Sequence, residues 1–257
     1  MIEDSLILNV YNRLCAYHKF PRLTKGDIGV QIGFDLSSKN LTTDVLNMHH
    51  RVGTQGRVIA IDPDISNIGK MRSIVEGHNM SVELVHCGTG DHQYEAEFQF
   101  AKRAAHNIFS QYGSRQDVTR IETVSIKTLT TIIQELNAEA KRIKHINISN
   151  NGAEYDTLVG AIELFSQIDD LTVTVISGRN DHLGIIEGEK DFVRAARLLR
   201  SEGFETKFVR PADLFWWGVV QRFLVKRKWV YGKNRNEYFG VIIAQKGRHI
   251  NQFQSYA

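Results

Sequence analysis

Gly26-Asp27-Ile28-Gly29-Val30-Gln31-Ile32-Gly33-Phe34-Asp35 is the stretch on which the reading of the chain turns. Ile28 to Ile32 is a short apolar run that stops at a glycine. A polar loop follows, and from Leu41 to His50 the apolar spacing becomes helical. Strand, glycine turn and helix in that order open a ligand site in α/β domains. The turn lets a ligand approach the backbone, and the helix start offers free N–H groups. Gly33 also suits a plain turn. Roughly 25 residues on, Arg57 to Ile61 forms a second apolar run ending in Asp62-Pro63, where a carboxylate can hold the two hydroxyls of a nucleoside ribose. Asp62 equally suits the cap of the helix that follows Pro63.

The remaining chain continues the alternation. Asp64 to Asn79 is helical in period through Ile65, Ile68, Met71 and Val75, and Ser81 to Cys87 reads as a third strand ending in Gly88-Thr89-Gly90-Asp91. Tyr94 to Phe100 alternates as a strand, 101–117 reads as a loop over the site, and Thr123 to Ile126 as a short strand. A helix is expected over Leu129–Lys141, a fourth main strand over His145–Ile148 and a helix over Ala153–Gln167. A fifth strand is expected over Leu171–Ile176 with Ser177-Gly178-Arg179 at its tip, then a helix over Lys190–Ser201. Glu205–Val209 and Phe239–Ala244 read as an antiparallel closing pair. The expected division is a helical extension over 1–25 and one domain over 26–257, with an insertion at about 210–236.

A chain of 257 residues, 42% hydrophobic and 24% charged, is ordinary globular material. It contains no run of about 18 apolar residues of the kind that spans a membrane. The start, Met1-Ile2-Glu3-Asp4, lacks the pattern of a secretory signal, and Cys15 and Cys87 form no disulfide framework; together they fit a cytoplasmic protein. Net charge is +3, which permits a polyanionic partner without arguing for one. Between Arg210 and Arg235, seven basic residues stand against one acid, Asp213, among Phe215, Trp216, Trp217, Phe223 and Trp229. Such a segment fits an anionic membrane surface, a protein partner or a nucleic acid. It fits better a helix packing its aromatics on the sheet with Lys226-Arg227-Lys228 in solvent. No helical His/acid pair forms a dedicated metal site.

The chain from about Gly26 to about Arg179 resembles the FkbM family of S-adenosylmethionine-dependent methyltransferases. Val30-Gln31-Ile32-Gly33-Phe34-Asp35 stands where that family has an apolar strand, an acid and a glycine loop. Val58-Ile59-Ala60-Ile61-Asp62-Pro63-Asp64 matches its second strand, and Gly90-Asp91 its Leu-Gly-Asp. Ile148-Ser149-Asn150-Asn151-Gly152-Ala153-Glu154-Tyr155, continued by Leu158 and Gly160-Ala161, is similar to its Ile-Asp-Val-Glu-Gly-Ala-Glu-Tyr signature. Gln31, Lys127, Ser149 and Asn151 replace acids of the family pattern, as does the Ser177-Gly178-Arg179 region.

The resemblance implies a Rossmann-like class I methyltransferase fold: α/β, a mostly parallel doubly wound sheet with an antiparallel closing strand. It implies S-adenosylmethionine as cofactor, wrapped by Gly33, Phe34 and Asp35, held by Asp62, bordered by Gly88 and Thr89 and within reach of Asn150. For a hydroxyl acceptor a base is needed, and Glu154, His106 and His182 are the candidates. Glu154 also suits a first-turn carboxylate that favours the helix dipole. The implied reaction is O-methylation of a sugar, glycolipid or similar small polar acceptor. The alternatives are a degenerate member serving as a partner subunit or scaffold, motivated by the replaced acids, and a nucleic-acid-binding module. A homo-oligomer stays open.

Overall fold

In the first strand every second side chain points to the same face, and all five residues are buried, so both faces of this strand must be covered. The computed structural model describes residues 19–34, 36, 44–101, 107–112, 117–177, 191–209 and 240–247. Asp35, His106, His182, residues 1–18 and the segment 210–236 lie outside them.

Seven strands form the main sheet: β1 (Ile28–Ile32), β2 (Arg57–Asp62), β3 (Val82–His86), β8 (Ile143–Ile148), β9 (Leu171–Ser177), β10 (Glu205–Val209) and β11 (Gly240–Lys246). Their order is β3-β2-β1-β8-β9-β11-β10. All neighbours from β3 to β9 run parallel, and β11 is antiparallel to both β9 and β10. This is the Rossmann-like class I methyltransferase order, with the expected antiparallel closing strand. The order reverses at β1: the chain proceeds outward through β2 and β3, then returns to the other side of β1 with β8.

The helices are α1 (Asp44–Val52), α2 (Ile65–Gly77), α3 (Leu129–Glu135), α4 (Glu154–Val159), α5 (Ile162–Ser166) and α6 (Asp191–Ser201). Val30, Ile32, Ile146, Ile148, Val173 and Val175 form one apolar sheet face, packed with Leu129, Leu158, Phe165 and Leu199 of the helices. On the opposite face Phe20, Leu23, Val45, Met48 and Val52 cluster with Val58 and Ala60. Among the described residues no helix is long and apolar enough to cross a membrane.

A second sheet, unexpected from the sequence, stands between β3 and β8 in the chain. Its strands are β4 (Gly88–Thr89), β5 (Tyr94–Ala101), β6 (Ile108–Phe109) and β7 (Val118–Lys127), in the order β4-β7-β5-β6. Phe98, Phe100, Phe109, Val124 and Ile126 are its core, with Ala153 against them. The expected loop over 101–117 therefore contains β6 and the short 3₁₀ turn Ser110–Tyr112. The short strand expected over Thr123–Ile126 is the inner half of a ten-residue β7. Its outer half, from Val118 to Glu122, is largely solvent-facing and shows no apolar alternation; pairing with β5 makes it a strand.

Two expected helices are shorter than their periodicity suggests. The Leu129–Lys141 helix stops at Leu136, and Asn137 takes a φ of 47°. The Ala153–Gln167 helix breaks at Gly160-Ala161 into α4 and α5. There the Gly160 carbonyl accepts from Thr130 N and Thr130 Oγ1 at 3.3 and 2.9 Å. A Cβ on residue 160 would lie 2.1 Å from the Gly90 carbonyl oxygen. The glycine admits the second sheet's base against the helix pair, and that contact ends the helix.

Candidate functional site

In an open α/β sheet a crevice forms at the carboxyl ends of the strands where the order reverses. Here that place lies between the tips of β1 and β8, and a cavity lies over it, with walls that include Gly33, Phe34, Asp62, Thr89 and Asn150. The tip of β1 is tied to both neighbours through backbone: Ser149 N–H, past β8, donates to the Ile32 carbonyl at 2.8 Å, and Gly33 N–H donates to the Ile61 carbonyl of β2 at 2.9 Å. Gly33 has a φ of 71°, and a Cβ there would sit 2.2 Å from the Ser149 carbonyl oxygen. Only glycine satisfies both demands, so the turn chemistry and the strand crossing are one requirement.

Asp62 closes the next tip. Its Oδ2 accepts from Phe34 N–H at 2.9 Å and its Oδ1 from Asp64 N–H at 2.8 Å. Burial pushes its carboxyl up from the usual 3.8 to about 7, against the pull of those two amides. Asp64 caps α2 through Ser66 N–H at 2.9 Å. The capping role therefore falls on Asp64, and Asp62 ties the glycine turn to the start of α2. Asn67, in the first turn of α2, donates to the Phe34 carbonyl at 3.0 Å and completes the hold on that residue.

The far wall comes from β4 and the tip of β8, backed by α4. Thr89 Oγ1 and Thr157 Oγ1 lie 2.6 Å apart, and the Asn150 amide donates to both, at 3.0 and 2.8 Å. Asn150 Oδ1 has no partner among the described residues. Asn151 donates to the Asn107 carbonyl at 2.9 Å, drawing the β6 approach onto the β8 tip. Phe98 and Phe109 of the second sheet give the cavity an apolar wall. Cys87 also lines it; burial pushes its thiol up to about 12, so it stays neutral.

A family model described as "Methyltransferase FkbM domain" matches residues 27–206. The chain belongs to the FkbM methyltransferase family. S-adenosylmethionine is the cofactor of that family. No curated protein matches at a significant level. Among solved structures, an rRNA methylase from Streptococcus thermophilus is 12% identical, with a TM-score of 0.43 over 92% of this chain and 97% of its own. Aeropyrum pernix fibrillarin with natively bound S-adenosyl-L-methionine is 8% identical, with a TM-score of 0.45 over 92% of this chain and 74% of its own.

Measured against the FkbM pattern, the cavity wall gathers six expected residues: Gly33, Phe34, Asp62, Gly88, Thr89 and Asn150. Glu154 is not among its lining residues. It is buried, and its Oε2 accepts from Gly152 N–H at 2.6 Å, inside the turn from β8 to α4. Asp35, His106 and His182 lie outside the described residues. Asn67, Cys87, Asn107 and the two phenylalanines were missed. Asn67 did carry a signal, a polar residue four places before Met71 on the buried side of its helix. The contributions of Asn107 and Phe109 carried none, because a two-residue strand has no period to read.

The residues present suit the family's cofactor. A ribose offers two neighbouring hydroxyl donors. Asp62 is a cavity-lining carboxylate whose oxygens accept one backbone N–H each and retain further lone pairs. Gly33 and Phe34 line the cavity beside it.

Proposed function

We propose that this cleft binds S-adenosylmethionine and that the protein transfers its methyl group to a hydroxyl of a sugar, glycolipid or similar small polar acceptor. The observation that carries the cofactor reading is Asp62: a buried carboxylate at the β2 tip, in one wall with Gly33 and Phe34. The acceptor class is supported by the family resemblance. The bound cofactor supplies an electrophilic methyl on a sulfonium. In this reading Asp62 accepts the ribose hydroxyls, the backbone of Gly33 and Phe34 passes beside the cofactor, and the Phe98–Phe109 wall excludes water from one side. Glu154 holds the turn that presents Asn150, acting by position. His106 and His182 remain the candidates for taking the acceptor proton. Incubation with methyl-labelled cofactor and a panel of glycans and glycolipids tests the reaction; label in a glycan hydroxyl is the expected outcome, and label in nucleic acid alone would overturn the acceptor class.

One observation favours a second reading, a binding or scaffold protein. The amides of Asn150 and Asn151 bond to Thr89, Thr157 and Asn107 within the protein, at the tip where the family carries acids. Cofactor binding without label transfer to any acceptor would select it.

A further inference from the structure

The sheet face opposite the apolar one carries a chain of polar side chains running toward the cleft. Asn147 is its hub. Its amide donates to Gln31 Oε1 at 2.8 Å and to Asp44 Oδ2 at 3.3 Å. Gln31 in turn donates to the Gly33 carbonyl at 2.6 Å and, more weakly, to that of Ile32 at 3.3 Å. Asp44 is the first residue of α1 and also meets Lys19 Nζ at 2.6 Å. On the far side Asn147 Oδ1 accepts from the Thr174 hydroxyl. That hydroxyl has one proton, so its oxygen receives the His145 Nε2–H, 3.0 Å away. Burial holds His145 down to about 3, so the ring is neutral at ordinary pH. Every donor therefore points one way, from His145 through Thr174 and Asn147 to Gln31 and the Gly33 carbonyl.

Gln31 and Asp44 stand at opposite ends of the segment that begins with the glycine turn. One amide on β8 grips both. Gln31, Asn147 and Asp44 come from three different elements; Gln31 and Asn147 are 2% and 7% exposed, so water does not compete for the bond between them, while Asp44 is half-buried. An acid at residue 31 could not donate to the Gly33 carbonyl; the glutamine can, because Asn147 donates to its oxygen and fixes which way its amide faces.

We propose that Asn147 is a positioning residue for the cofactor, clamping both ends of the segment from Gly33 to Asp44 and, through Gln31, setting the direction of the Gly33 carbonyl. The proposal rests on the reading that the cleft takes S-adenosylmethionine. Asn147→Asp keeps the acceptor for Thr174 but donates nothing to Gln31 or Asp44. Gln31→Leu removes the donor to Gly33 and leaves Asn147 in place. Thr174→Val breaks the chain on the other side of the hub and is the control for a merely structural role. Two readouts apply to the folded proteins: the dissociation constant for S-adenosylhomocysteine, and hydrogen exchange at the Gly33 and Phe34 amides. Asn147→Asp and Gln31→Leu should each weaken binding at least tenfold and speed exchange at both amides. Thr174→Val should lower the melting temperature yet leave binding and exchange within twofold of wild type. Wild-type behaviour of Asn147→Asp and Gln31→Leu, or an equal loss in Thr174→Val, would overturn the clamp. If the wild type binds no cofactor, the cofactor reading fails, and the exchange comparison alone decides whether the clamp exists.

Discussion

The two faces of β1, β8 and β9 come from the same alternating residues and do opposite work. One face shows Val30, Ile32, Ile146, Ile148, Val173 and Val175 to the helices. The other shows Gln31, His145, Asn147, Thr172 and Thr174, all buried or nearly so and largely bonded to one another across strands. The apolar face stabilises by area removed from water and tolerates approximate shape. The polar face contributes little net stability, since its bonds replace bonds to water, but it is directional. A sheet that needed only to be stable would be apolar on both sides. The polar side leads to the tip where Gly33 turns, which places geometry rather than stability as its purpose.

The contrast can be broken most heavily from the apolar side. Ile146→Ala should cost about 2–5 kcal/mol by chemical denaturation, while the fraction that remains folded keeps wild-type cofactor affinity. A large loss of affinity there would erase the division of labour. Thr174→Val is the matching cut on the polar face: it leaves the Asn147 oxygen and the His145 Nε2–H unpaired, and should cost about 1–3 kcal/mol in the same assay.

The next effect sharpens the role of the tip itself. With its folded carboxyl raised to about 7, Asp62 favours the folded state most below the usual 3.8, and that contribution is lost as pH rises toward 7. On the proposed ribose contact the ionised carboxylate is the stronger acceptor, so affinity should be full above pH 7 and fall by up to about tenfold per unit below it, roughly 1.4 kcal/mol. Calorimetry across pH checks this, and Asp62→Asn should flatten the stability profile between pH 4 and 7. The smallest effect concerns Gln245, buried on the polar face with Oε1 unpartnered among the described residues. Gln245→Leu should be neutral or stabilise by up to ~1 kcal/mol, since it removes a desolvated group outside the chain that reaches Gly33. Melting temperatures compare it directly with Thr174→Val.

Much of this was legible in the chain. Ile28–Ile32 ending at Gly33, and Arg57–Ile61 ending at Asp62, show their strands because buried parallel strands are written as short apolar runs, and their tips carry the cavity. What stayed hidden is what only tertiary contact decides. The outer half of β7 is polar and becomes a strand through β5. The α4–α5 break follows from Gly90 meeting Gly160. The Gln31–Asn147 pair could not be foreseen, because the two residues lie 116 positions apart and each alone resembles a flaw in an apolar strand. Glu154 was readable as a dipole partner or a base; its bond to Gly152 N–H shows the local service a sequence cannot reveal.

The most direct measurement is calorimetric titration of the whole protein with S-adenosylmethionine at pH 8, beside Asp62→Ala under the same conditions. One site of micromolar affinity in the wild type, lost in the folded variant, is the expected result. No heat from the folded wild type, or unchanged binding in Asp62→Ala, would contradict it.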